Sequence, residues 1–121
     1  MEFLSAPLVP VSVAVEAGDV LVLDPERPGA LRPGASLADP AVAGVATGRG
    51  TQEAPVAFSG LVTCKADAGY GPIRVGDLLT VSPTPGHAMR ALEALPGTII
   101  GKAAEPLDVG TGAIQILVTL R

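Results

Sequence analysis

His87 is the only histidine of the chain, and histidine is the side chain whose ordinary pKa lies nearest neutrality. It sits in "VGDLLTVSPTPGHAMRA", Val75 to Ala91, with Asp77, Ser82 and Thr84 upstream in the same stretch. A hydroxyl nucleophile, an imidazole base and an orienting carboxylate form the set that a self-cleaving domain needs. The surrounding residues give these groups other work. Asp77 belongs to a Gly-Asp corner, Ser82 to the turn after the next apolar run, and His87 follows the turn glycine Gly86, where a strand is expected to start. No catalytic residue is assigned.

Asp19 and Asp77 occupy matching places in two similar segments, "AGDV" and "VGDL". Two carboxylates facing one another do acid–base work in aspartic proteases, at the tips of special loops in much longer lobes. Here both read as turn aspartates whose oxygens accept backbone N–H groups. Cys64, in the apolar alternation "LVTCKA", has no basic neighbour to form a thiolate and reads as a buried structural residue. "DVGTGA" (Asp108 to Ala113) and "GRG" (Gly48 to Gly50) are glycine-rich but lack the lysine and the strand–loop–helix setting of a phosphate loop. One His and one Cys cannot fill a zinc shell. No cofactor-binding and no metal-ligating residue is expected.

The elements that carry these groups follow a repeat. "VEAGDVLVLDPERPG" (Val15 to Gly29) matches "IRVGDLLTVSPTPG" (Ile73 to Gly86), with Gly18-Asp19 on Gly76-Asp77 at a shift of 58. Farther on, "AVAGVA" from Ala41 matches "TIIGKA" from Thr98 at a shift of 57. Each half reads as a Gly-Asp corner, a strand (Val20–Leu23 and Leu78–Val81), a Pro-Gly turn, a variable segment and a short strand holding Gly44 or Gly101. "GLVTCKA" from Gly60 and "AIQILVTLR" from Ala113 are expected to close the two halves. "HAMRALEAL" (His87 to Leu95) has the best helix propensity but lies between turn signals.

Composition agrees with many short strands. Fifteen glycines and 12 prolines punctuate a chain that is 48% hydrophobic and only 2% aromatic. Aliphatic richness separates such a sequence from disordered chains of similar Gly and Pro content. The expected class is all-β: a compact β-barrel or β-roll of two similar halves with little or no helix. The boundaries expected are an N-terminal strand or arm over 1–14 and a single β domain over 15–121, with pseudo-repeats at about 15–66 and 73–121. A formal net charge of -4 gives no electrostatic reason to bind nucleic acid or an anionic membrane. A lone cysteine excludes an intrachain disulfide. No apolar run is long enough to span a bilayer, and the start carries no basic residue before its apolar stretch, a poor signal peptide. The location expected is cytoplasmic, or within an exported or phage-like particle.

The run "YGPIRVGDLLTVSPTPGHAM", with "GTIIGKA", "GTGAIQILVTLR" and, upstream, "VEAGDVLVLDPERPGALR" and "DPAVAGVATG", resembles a widespread bacterial β-rich domain of tail-fibre-like and spike-like proteins. A looser similarity joins it to phage capsid-decoration proteins. Ala104 stands where a Leu is usual after "GKA". The resemblance implies a structural or assembly module, commonly trimeric, and no catalytic residues. Exposed strand edges and a small core without disulfide or metal likewise favour burying surface against further copies. The function expected is therefore non-catalytic: a homotrimeric cap, spike, fibre or coat component of a phage-derived or similar assembly. The N-terminal stretch could exchange with or pack on a neighbour. The alternatives are a small partner- or ligand-binding module using Arg32 to Pro40 and Met89 to Leu95, and a self-cleaving spike-type domain.

Overall fold

A computed structural model describes residues 6–121. Ten strands follow in order: β1 (Leu8–Pro10), β2 (Val20–Leu23), β3 (Leu31–Pro33), β4 (Val42–Ala46), β5 (Glu53–Ala57), β6 (Ser59–Asp67), β7 (Leu78–Val81), β8 (Ala88–Arg90), β9 (Ile99–Ala103) and β10 (Thr111–Thr119). One 3-10 turn, Ala68–Tyr70, lies between β6 and β7. The chain is all-β.

The two Gly-Asp corners are built alike. Gly18 and Gly76 take φ values of +92° and +91°, which an L side chain rarely adopts. Their N–H groups donate to Ala46 O at 2.7 Å and Ala103 O at 2.8 Å. The following aspartates accept from Glu16 N and Arg74 N, each at 2.8 Å. β2 and β7 then run antiparallel to β4 and β9, with register shifts at Leu21/Val22 and at Leu79/Thr80. A bulge at the same place in both halves gives both sheets the same bend.

Strands β1 to β5 form a sheet of order β1-β5-β4-β2-β3, and β6 to β10 close a barrel of order β10-β6-β8-β7-β9. The edges of the first sheet touch through one isolated parallel bridge, Val11 to Leu31, so it is a half-barrel. The matching contact in the second half, Ala66 to Ala88, joins β6 to β8 and completes closure.

β6 corrects the expectation that "GLVTCKA" closes the first half. It pairs with β10 along Thr111–Thr119 and stands in the second barrel where β1 stands in the first sheet. The first half closes on β5 instead. Pro55 hides that strand in the sequence, because proline removes a ladder donor. It is tolerated just past the end of β4, where its carbonyl accepts from Thr47 N at 2.9 Å. "HAMRALEAL" becomes strand β8 and a loop, since Ala88 and Met89 are buried against β7. Burial outweighs helix propensity there.

The two interiors correspond position by position. In the half-barrel Val9, Val11, Val15, Leu21, Leu31, Ala43, Ala46, Ala54 and Val56 form one apolar cluster. The second barrel buries Cys64, Ala66, Ile73, Leu79, Ala88, Ile100, Ala103, Ile114 and Ile116 at the matching places. Volume is redistributed rather than lost: Val11 and Leu31 become alanines, while Ala43 and Ala54 become isoleucines. The outer walls differ. Val20, Val22 and Val45 face the second barrel and join its core. The corresponding Leu78, Thr80 and Lys102 cover no third unit, and Lys102 is exposed. Only the first wall is apolar throughout, which fixes which half mates with which.

Candidate functional site

A cluster of charged and backbone groups lies where the two halves meet. Four backbone bonds cross the seam: Val20 N to Gly86 O at 2.9 Å, Gly86 N to Gly34 O at 2.8 Å, Lys65 N to Gly18 O at 2.9 Å, and Ala38 N to Val81 O at 3.0 Å. Gly34 fits because a Cβ there would come within 2.8 Å of a Val81 methyl. Over these bonds Lys65 Nζ reaches Asp19 Oδ1 at 2.8 Å and also pairs with Glu16. The Asp19 side chain is 8% exposed. Burial acts to lower the Lys65 pKa, but hydrogen bonds and charge from Asp19 and Glu16 outweigh it and raise the value overall. Glu16 is lowered, first by its hydrogen bond to Lys65 and then by the ammonium charge. These groups form a charge-paired clamp over the seam.

The stretch around His87 holds no catalytic chain. Ser82 is fully buried and its Oγ lies 2.8 Å from His87 O and 3.0 Å from Thr84 O. The ring of His87 meets Pro85 O through Nδ1 at 2.8 Å, not a hydroxyl or a carboxylate. Thr84 Oγ1 donates to Asp67 Oδ2 at 2.6 Å. That bond, with Gly69 N donating to Asp67 Oδ1 and a smaller effect of His87, holds the Asp67 carboxyl below its ordinary range. Asp77 caps Arg74 N. Serine, histidine and Asp77 thus each serve separate backbone groups.

Asp19 and Asp77 do not form a carboxylate pair, since Asp19 binds Lys65 and Asp77 a backbone amide. Cys64 is fully buried, and desolvation, with a contribution from the Asp19 charge, pushes its thiol up to about 12. Among the described residues no three His, Cys, Asp or Glu side chains gather as metal ligands. No helix there is long and apolar enough to cross a membrane. Of the loop Arg32 to Pro40, Gly34 and Ala38 are engaged by the second barrel, and Met89 is buried in β8. The N-terminal arm is anchored within its own chain, since β1 pairs with β5; its first five residues lie outside the described ones.

The clamp was not legible in the sequence, because Lys65 and Asp19 lie in different halves. The available signal was asymmetry. Glu16 and Asp19 precede one strand, but Arg74 and Asp77 precede its counterpart, so the two corners have different charged neighbours.

No family model matches the chain, and no curated protein matches it either. Among solved structures it is similar to the N base of head fibre gp8.5 in bacteriophage phi29, with a TM-score of 0.61 and 18% sequence identity. The likeness covers 93% of this chain and 92% of that one. It is a likeness of fold. The expected resemblance to a phage fibre-like β domain holds at that level. The widespread bacterial family that accompanied it is not supported.

Proposed function

We propose that this chain is a non-catalytic structural module of a phage-derived or similar assembly: a cap, spike, fibre or coat element that works as a homo-oligomer, with three copies favoured. The observation that carries this reading is the fold likeness to a phage head-fibre base over nearly the whole of both chains. The site chemistry supports it, because the conspicuous polar groups have structural partners: Lys65 joins Asp19 across the seam, while Ser82 and Thr84 bind groups within the second half. The halves are read as an internal duplication, supported by the matching corners, bulges and interiors. With β1 and β6 taken as counterparts, the repeats are read as about 6–57 and 59–119, within one β domain. The module belongs in a particle rather than in a metabolic route, with other protein subunits as partners and no cofactor.

Size-exclusion chromatography with light scattering tests the reading. A stable species at three times the chain mass is expected, and a monomer persisting over a wide concentration range overturns it. Intact-mass spectra after days of storage should show one uncleaved species, and a defined pair of fragments would restore the self-cleaving alternative.

A further inference from the structure

We infer that the outer face of the β6–β10 hairpin, centred on Leu61 and Leu117, is the surface through which copies of this chain bind one another. The inference rests on the assembly reading above. Leu61 and Leu117 are direct cross-strand partners, and they are 66% and 40% exposed. An aliphatic pair this open on a regular strand face has no role in the chain's own core, which lies on the opposite face at Val62, Cys64, Ile116 and Val118.

Across the hairpin the flanking side chains are uncharged. Thr63 faces Gln115, whose Nε2 donates to Thr63 Oγ1 at 2.6 Å, and Ser59 faces Thr119. Lys65, next on the same face, is turned away from the pair to Asp19 and Glu16 at the edge of the face. Lys102 on β9 stands at the rim beside Leu117. Copies of a chain with net charge -4 repel one another, so a self-contact is favoured at a centre that has Lys102 beside it and keeps Glu16 and Glu105 at its edges. Apolar centres with polar rims are what protein interfaces present.

The shape of the face also suits a second copy. Leu61 stands between two hollows: one includes Thr47, Val56 and Phe58, the other Gly18, Ala46 and Thr63. Both open on the seam between the halves, so this surface continues the apolar interface already formed within the chain. A projecting leucine and a receiving hollow on one face let each copy give and take in the same way, as rotational symmetry requires. Nucleic acid would need several cations here, and this face offers only Lys102 beside Leu117, since Lys65 is already paired.

The test uses the full chain and light scattering. Leu61→Glu and Leu117→Glu are expected to weaken self-association at least about a hundredfold, leaving monomer with an unchanged circular dichroism spectrum. Leu92→Glu, at another exposed leucine, should leave the oligomer intact. Leu61→Cys supplies a second readout, in which the introduced thiol is the reactive one because the native Cys64 is buried. Mild oxidation of the assembled protein should give a disulfide-linked pair from Leu61→Cys and none from Leu92→Cys. An oligomer unchanged by both glutamate variants, or dissociated by Leu92→Glu instead, overturns this surface and leaves the assembly reading standing. A monomeric unsubstituted chain overturns both.

Discussion

Replacing Lys65 by methionine keeps most of the apolar stem beside Gly18 while removing the charge that Asp19 faces. The ammonium and carboxylate are 2.8 Å apart, which at an effective dielectric of about 20 is a gross attraction of about 6 kcal/mol. Desolvation of both ions offsets much of that. Removing one member of a fully buried pair costs about 3–5 kcal/mol, because the other charge is left unpaired. Lys65 retains 24% side-chain exposure and Asp19 keeps the Glu16 amide. The expected loss for Lys65→Met is therefore about 2–3 kcal/mol, or roughly 10 °C in Tm for a chain of this size. Asp19→Asn should cost a similar amount, and the double variant less than the sum of the two. Urea titration of the four proteins measures the coupling. A loss of less than about 0.5 kcal/mol for Lys65→Met, or simple additivity, would place the pair with ordinary surface ion pairs and refute the clamp. The pH dependence has a defined sign. Glu16 is lowered, so its contribution is present above the ordinary glutamate range and disappears as pH falls through its lower folded value. Lys65 is raised, so its contribution is present below the ordinary lysine range and disappears as pH rises through its higher folded value. The clamp thus acts between about pH 5 and 10, and Lys65→Met should flatten both flanks.

The buried Cys64 thiol should react with an alkylating reagent at pH 8 at least about a thousandfold more slowly in native protein than in urea; equal rates would contradict its burial. Gly76→Ala meets a strained φ but open space and should cost about 1–2 kcal/mol. Gly86→Ala adds a clash with the Asp19 carboxylate and should cost about 3 kcal/mol, so equal losses by urea titration would refute the tight seam. Ser82→Ala should lower stability by about 1 kcal/mol through its lost hydrogen bonds, and His87→Ala by less. Neither should change the intact mass on storage, and a wild-type fragment absent from either variant would return these residues to chemistry.

The strands β2 and β7 were legible to the residue. Gly-Asp before an apolar run and Pro-Gly after it are local instructions that need no distant partner. The buried cysteine and the turn aspartates were legible for the same reason. β5 was hidden by Pro55, whose tolerance depends on where β4 happens to end. β8 was hidden by good helix formers in a segment that barrel closure draws into a strand. β6 reads as a strand from its alternation, but the half it joins is not written there, because period-2 alternation reveals a pleat and not its neighbour.

Local backbone chemistry and apolar pattern were therefore enough to give an all-β chain of two matching halves. The pairing of β6 with β10, the burial of one wall and the clamp over the seam were decided by tertiary contact. The physical reason is sequence distance. Asp19 meets Lys65, and Val20 meets Gly86, only after both halves have folded, and no spacing along the chain encodes those meetings. The sequence contains two similar strand-and-turn segments, and the folded chain turns their small differences, valine against lysine and threonine on the outer walls, into a single directed interface.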